Sequence, residues 1–252
     1  MFNLRSLLFL LVLLILLPLL ILFGNRVVTY FSHAAPIPAN IQIDVATTSG
    51  QLVPIWEGLA QGGEADEKGN LVLLGKDSAQ LRDLKIRYIR FDHVLDQPSL
   101  DRIKEAIDLG ATPIISLSYF PSGTATSGVG EVTDWNAWQT AVTGLVEQVS
   151  GKNELNQTGV YYEVWNEPDG PTFGNFAIGK DKDYFVLYQK TLEAIARAQN
   201  VNAFKIGGPA LADPRRCSNG LLFICQEFWL DKFLSLVSEN NLRLDFLSWH
   251  RY

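Results

Sequence analysis

The chain has 252 residues, 47% of them hydrophobic and 19% charged, with a formal net charge of -6. That balance suits one globular α/β domain with a sizeable core. It argues against a nucleic-acid partner, because no cluster of Lys and Arg is interleaved with aromatics. With 3 His and 2 Cys, and neither a Cys-x-x-Cys nor a His-Glu-x-x-His spacing, no metal site is visible.

From Leu7 to Phe23 every residue is apolar except Pro18, with Arg5 before the run and Gly24-Asn25-Arg26 after it. At about 1.5 Å per residue this makes roughly 25 Å of helix, extendable through Val27-Val28, and it predicts an N-terminal transmembrane helix within residues 1–31. A cleaved signal segment is the rival reading, but Ser32 to Ala39 offers only weak small-residue cleavage sites. Residues from about 40 onward are expected outside the cytoplasm, on a membrane anchor or secreted if the segment is cleaved. Residues 32–51 read as a Pro- and Thr-containing linker, and 52–252 as the folded domain.

In that domain strand-like and helix-like segments alternate. Strands are predicted at Ile55 to Leu59, Ile86 to Phe91, Pro113 to Tyr119, Val160 to Trp165, Phe204 to Gly207 and Leu244 to Trp249. Helices are predicted at Lys76 to Lys85, Ser99 to Leu109, Trp135 to Val149, Tyr184 to Gln199 and Gln226 to Asn240. Strict alternation means a parallel sheet. A doubly wound nucleotide-binding sheet is disfavoured, because Gly62-Gly63 is followed by Glu64, Asp66 and Glu67, which repel phosphate. The expected architecture is therefore a (β/α)8 TIM barrel, incomplete, with about six of its eight units present. Cys217 and Cys225 fall in a predicted loop and helix start, where a local disulfide and two free thiols are both open readings. Asn156-Gln157-Thr158 is a glycosylation sequon.

In such a barrel the polar residues just past each strand converge on one pocket. Here they are Gln61, Glu64, Arg90, Asp92, Tyr119, Asn166, Glu167, His250 and Tyr252. The most informative stretch is Tyr161 to Gly170. Tyr161 to Trp165 suit a buried strand, and Pro168, which lacks an N–H, should stop it beside Glu167. A carboxyl is thereby held at a strand's C-terminal end between Trp165 and Pro168, partly desolvated and suited to general-acid work.

The chain resembles a retaining glycoside hydrolase of the clan A (β/α)8 barrel type, most of all glycoside hydrolase family 39, the β-xylosidase and α-L-iduronidase family. The resemblance rests on Tyr162-Glu163-Val164-Trp165-Asn166-Glu167-Pro168, Lys205-Ile206-Gly207-Gly208-Pro209-Ala210 and Asp245-Phe246-Leu247-Ser248-Trp249-His250-Arg251-Tyr252. Tyr88 to Phe91 and Ser116 to Pro121 match in type. The resemblance implies that Glu167 is the acid/base and that Asn166 binds the sugar hydroxyl next to the anomeric carbon. It also implies that Arg90 supports the catalytic carboxylates, that His250 and Tyr252 line the pocket, and that no cofactor is needed. The family often carries His after the second-strand Arg-Phe, where this chain has Asp92 and then His93.

Retention needs a second carboxyl about 5 to 5.5 Å from the first. Glu163 is four extended residues from Glu167, about 13 Å down the barrel, and is expected instead to be buried beside an Arg or Tyr. Glu64 and Asp92 are expected to bind sugar hydroxyls, and Asp213 to cap a turn before Pro214. In this clan the nucleophile is a Glu at the end of the seventh strand. The sequence ends at Tyr252 just past the sixth, so the expectation is a fragment that is inactive alone. Two alternatives remain. One is a membrane-tethered carbohydrate-binding or degenerate barrel, with Tyr119, Phe120, Trp165 and Trp249 as stacking platforms. The other is a different clan A family of endoglucanase or mannanase type.

Overall fold

The computed structural model describes residues 14, 16–17, 50, 56–61, 78–97, 100–180, 182–221 and 224–251. The chain divides into two units, Met1–Leu52 and Val53–Tyr252. In the first unit Leu14, Leu16 and Leu17 are helical and exposed. Among the described residues no helix is long and apolar enough to cross a membrane. The rest of the predicted span Leu7 to Phe23, and the linker 32–51 apart from Gly50, lie outside the described residues.

The second unit carries strands β1 (Gly58–Gln61), β2 (Tyr88–Phe91), β3 (Thr112–Leu117), β4 (Tyr161–Val164) and β5 (Lys205–Leu211), followed by β6 (Cys217–Leu221), β7 (Ile224–Phe228) and β8 (Phe246–Trp249). Its helices are α1 (Ser78–Asp83), α2 (Leu100–Asp108), α3 (Trp135–Ser150), α4 (Tyr184–Ile195) and α5 (Trp229–Glu239). The main sheet has the order β1-β2-β3-β4-β5-β8, and every neighbouring pair is parallel. This sequential order, with a helix between successive strands, is that of consecutive units of a (β/α) barrel. It lacks the strand-order reversal of a doubly wound sheet.

The helices pack because their apolar residues recur on one face. On α3, Trp138, Val142, Leu145, Val146 and Val149 are buried, and the Asp134 side chain caps the first turn by accepting from the Ala137 N–H at 2.9 Å. On α4, Asp183 accepts from the Phe185 N–H at 2.9 Å in the same way. An aromatic cluster fills the space above the sheet's C-terminal end. Trp165 lies 4.6 Å from Phe120 and 5.0 Å from Phe176, and Phe120 lies 5.0 Å from Trp138, ring centre to ring centre. These contacts add roughly 0.5–1.5 kcal/mol per pair to the burial itself.

The last strand of the sheet is anchored by a carboxylate. Asp245 Oδ2 accepts from the Ile206 N–H, while the Asp245 N–H donates to the Ile206 carbonyl, both at 2.8 Å. Burial alone would raise the Asp245 pKa, but the hydrogen bonds from Arg243 and the Ile206 amide outweigh it and hold the carboxyl below its ordinary value. A depressed folded-state pKa contributes stability above the unfolded value, near 3.9, and that contribution is lost as pH falls through the folded value. Asp245→Asn should therefore flatten the acid limb of the stability curve below about pH 4, as read by urea unfolding between pH 3 and 6.

The predicted boundaries shift in two informative places. β5 continues past Gly207 to Leu211, with a register irregularity between Pro209 and Leu211 against β8 that accommodates the proline. The predicted helix start at Gln226 is corrected, because Gln226 to Phe228 belong to β7, which pairs antiparallel with β6. Cys217 and Cys225 thus sit on a hairpin, not in a loop and helix start, and they form a disulfide with Cα atoms 5.6 Å apart. The base of this hairpin is closed by the Trp229 N–H donating to the Arg216 carbonyl at 2.8 Å. For a separation of 8 residues, chain entropy alone puts the disulfide near 2.5 kcal/mol. Cys217→Ser with Cys225→Ser is expected to lower stability by about that amount, and reductant should lower the Tm of the parent but not of the double variant.

Candidate active site

The C-terminal ends of β2, β3, β4 and β8 supply the polar groups. On β2 side chains alternate, so Phe91 faces the helix layer, where the Arg102 guanidinium lies 5.8 Å from its ring centre, while Arg90 and Asp92 share the opposite face. Arg90 is the hub. Its Nε donates to Glu163 Oε2 at 2.7 Å, Nη1 to Asp92 Oδ2 at 2.7 Å, and Nη2 to Asn166 Oδ1 at 3.0 Å. Nη2 also lies 2.6 Å from Glu163 Oε2. Burial alone would lower the Arg90 pKa, but the carboxylates of Glu163 and Asp92 outweigh it and hold it above its ordinary value. Glu163 is only 3% exposed, as expected of a structural carboxylate paired with Arg, and its engagement with Arg90 removes it as a partner for Glu167.

Asn166 is oriented at both ends of its amide. Its Oδ1 accepts from Arg90, and its Nδ2 donates to the Tyr119 hydroxyl at 3.3 Å. Burial pushes the Tyr119 hydroxyl up to about 12, against the opposing pull of this hydrogen bond. Tyr119 is therefore a neutral donor or acceptor across the physiological range. Its ring stacks on His93 at 4.3 Å, and His93 Nδ1 lies 2.9 Å from Asp96.

Glu167 is held by its backbone as much as by its side chain. β4 stops at Val164 rather than beside Glu167, because Trp165 (φ 72) and Glu167 (φ 46) take left-handed conformations that turn the chain before Pro168 is reached. Such conformations cost of order 1–3 kcal/mol for residues with a Cβ and persist where surroundings enforce them. Here the enforcement is visible. Trp165 is fully buried and donates Nε1–H to the Phe173 carbonyl at 2.7 Å. The Glu167 N–H donates to the Ala210 carbonyl at 2.9 Å, and Asp169 accepts from the Ala212 and Asp213 amides at 2.8 and 3.1 Å. Glu167 is 6% exposed, and its Oε1 lies 2.6 Å from His250 Nδ1. The His250 N–H in turn donates to the Leu211 carbonyl at 2.7 Å.

The sequence profile of Glycosyl hydrolases family 39 matches residues 78–252, well over half of the chain. The chain belongs to glycosyl hydrolase family 39. It is 28% identical over 158 residues to a β-xylosidase of Caldicellulosiruptor saccharolyticus, covering 58% of this chain and 28% of that protein. It is 26% identical over 164 residues to a β-xylosidase of Geobacillus stearothermophilus, covering 61% and 30%. The chain thus spans less than a third of the length of these curated relatives. Among solved structures it is similar to a bacterial orthologue of human α-L-iduronidase (16% identity, TM-score 0.48, covering 79% of this chain and 34% of that one). It is also similar to the catalytic domain of the major endoglucanase of Xanthomonas campestris pv. campestris (14% identity, TM-score 0.43, covering 81% and 65%).

Within this family 39 chain the structure joins Arg90, Asp92, Asn166 and Tyr119 in one network and pairs Glu167 with His250. Glu64 and Tyr252 lie outside the described residues. Gln61 is buried at the end of β1, and its carbonyl accepts from the Asp92 N–H at 3.1 Å. Asp213 stands just before Pro214 and caps the turn through it, its side chain accepting from the Arg215 N–H and its carbonyl from the Arg216 N–H, both at 2.9 Å. Phe120 and Trp165 are core residues rather than stacking platforms, and Trp249 alone of the proposed platforms is exposed. Among the described residues no group of three His, Cys, Asp or Glu side chains could hold a metal ion. Sequence reasoning missed the roles of Asp169 and of the His93–Asp96 pair. The Asp directly after Asn-Glu-Pro was a signal for the first, since a carboxylate there sits in reach of the next strand's end.

Proposed function

We propose that the intact protein hydrolyses O-glycosidic bonds of an oligosaccharide, polysaccharide or glycoside with net retention, and that Glu167 is its acid/base. The observation that carries this reading is the Glu167 carboxyl, buried at a strand's C-terminal end, with Oε1 set 2.6 Å from His250 Nδ1. That contact fixes one carboxyl oxygen and so holds the carboxyl in place at the strand end. In the first step Glu167 protonates the leaving oxygen while a carboxylate nucleophile attacks the anomeric carbon. In the second, Glu167 takes a proton from water as it attacks the glycosyl-enzyme. Asn166, set by Arg90 and Tyr119, offers its amide to the hydroxyl beside the anomeric carbon.

The nucleophile in this reading is a Glu from outside the described residues. Support comes from the commitments of the nearby carboxylates: Glu163 and Asp92 to Arg90, and Asp169 to two backbone amides. The proposal includes an extracytoplasmic site on an anchor at Leu7 to Phe23. The apolar run supports it, as does the Cys217–Cys225 disulfide, a bond that persists in oxidising compartments.

The test is to incubate the full-length gene product with α- and β-linked 4-nitrophenyl glycosides and follow the first-formed sugar by proton NMR. Retention of anomeric configuration is expected. An inverted product, or no turnover of any glycoside, would overturn the reading.

A further inference from the structure

The loops that follow β3 and β4 enclose a cleft of about 300 Å³ that the mechanism above does not use. Glu131 and Trp135 line it from the first loop and the start of α3, and Phe176, Lys180 and Lys182 line it from the second. Among the described residues it shares none with the network of Arg90, Asn166 and Glu167.

Both walls are held by hydrogen bonds of their own. In the first, the Thr126 N–H donates to the Glu131 carbonyl at 2.9 Å and the Glu131 N–H to Thr126 Oγ1 at 3.0 Å, which closes a tight turn. In the second, the Ala177 N–H donates to the Lys182 carbonyl and the Tyr184 N–H to the Ala177 carbonyl, both at 2.9 Å. Lys182 ties one wall to the other. Its Nζ donates to the Val129 carbonyl and stands 4.7 Å from the centre of the Phe176 ring. The cleft is therefore formed before any ligand arrives, the usual condition of a small-molecule site.

The chemistry of the lining selects the ligand class. Trp135 is only partly buried and gives the cleft an aromatic surface. The ammonium groups of Lys180 and Lys182 and the carboxylates of Glu131 and Asp183 share the same lining. Burial draws the Lys182 ammonium below its ordinary value, and the Glu131 carboxylate opposes that shift. A ligand carrying one sign of charge meets repulsion from part of this set. A sugar ring is apolar on its faces and both donates and accepts around its edge, so it can lie against an indole while its hydroxyls pair with ammonium and carboxylate alike.

We infer that this cleft is a second, non-catalytic carbohydrate site, which takes neutral sugar units of an oligosaccharide or polysaccharide. Carbohydrate as its ligand rests on the glycosidase reading. Both loops leave the end of the sheet that carries Glu167, so a polymer held in the cleft is kept at the catalytic end of the molecule, and its effective concentration there rises.

The full-length gene product carrying Glu167→Gln, which spares bound sugars from cleavage, is titrated calorimetrically with xylotetraose, cellotetraose, mannotetraose and tetragalacturonate. A neutral tetraose is expected to bind, and adding Trp135→Ala or Lys180→Ala should remove one site per chain. Lys180 is exposed, so its variant should keep the parent Tm even if Trp135→Ala loosens the start of α3. With Glu167 restored, either substitution should leave kcat/KM on 4-nitrophenyl glycosides within about two-fold and lower it roughly 10-fold or more on the matching polysaccharide. Absence of tetraose binding, binding indifferent to both substitutions, or preference for tetragalacturonate would overturn this inference and leave the glycosidase reading standing. Binding that both substitutions weaken, in a protein that turns over no glycoside, would overturn the glycosidase reading and keep the cleft as a carbohydrate site.

Discussion

Glu167→Gln in the full-length protein is expected to lower kcat/KM by about 10²- to 10⁴-fold on glycosides with poor leaving groups, the usual contribution of a positioned general acid. On 2,4-dinitrophenyl glycosides, whose leaving group departs as an anion without a proton, the first step should be nearly unchanged and the second should become limiting. The glycosyl-enzyme would then accumulate, giving a burst of dinitrophenol and a lowered KM. The substitution is close to isosteric, and the amide can pair with His250 Nδ1 in the place of Oε1 through either its oxygen or its nitrogen, so the Tm should move little. Equal losses on good and poor leaving groups, with no burst, would remove Glu167 from the proton-transfer role.

The second large effect is expected on stability. Arg90→Met should destabilise the protein by about 3–5 kcal/mol, the range for breaking a buried ion pair from one side. The reason lies in what is left behind: Glu163 and Asp92 would remain as buried carboxylates with no cation, and Asn166 would lose the donor that orients its Oδ1. Arg90→Lys should recover only part of this. A single ammonium cannot present the three separate donors that the planar guanidinium directs to three residues. Adding Glu163→Gln to Arg90→Met should restore some stability by removing one orphaned charge. Urea unfolding of the single and double variants measures these terms, and strict additivity between Arg90→Met and Glu163→Gln would mean that the two side chains do not interact.

The parallel sheet and the place of Glu167 were legible in the sequence because both are written locally. Apolar β-branched and aromatic runs such as Ile114-Ile115 and Tyr161 to Trp165, separated by segments of helical period, define strands and crossovers without reference to distant residues. Asn166-Glu167-Pro168 marks a strand end by chemistry alone. Glu163 was also readable, since a carboxylate inside a barrel strand has to be neutralised, and Arg90 does so. The turn that places Glu167 was not readable. Trp165 and Glu167 adopt left-handed backbone that their side chains disfavour, and only the aromatic cluster and the end of β5, some 40 residues on, enforce it. The β6–β7 hairpin escaped for a different reason. Cys217-Ser218-Asn219-Gly220-Leu221 shows no alternation of period two, so its strand character comes from the pairing and the disulfide rather than from its own residues. The His250–Glu167 contact spans 83 positions, and nothing in either residue's neighbourhood encodes a range that long.

The same hairpin offers a practical handle. The braces of the Glu167 turn end at Asp213, α5 begins at Trp229, and the amide of Trp229 closes the hairpin's base on Arg216. What lies between is a local graft on the rim of the strand ends, joined to the sheet through one pair of neighbouring stems and braced on α5 by Glu227 against Lys232 at 3.8 Å. Residues 217–228 can therefore be exchanged for loops of other lengths, or randomised as a library, with the backbone setting of Glu167 kept. Engineering of the rim and preservation of the chemistry become separable tasks in this chain.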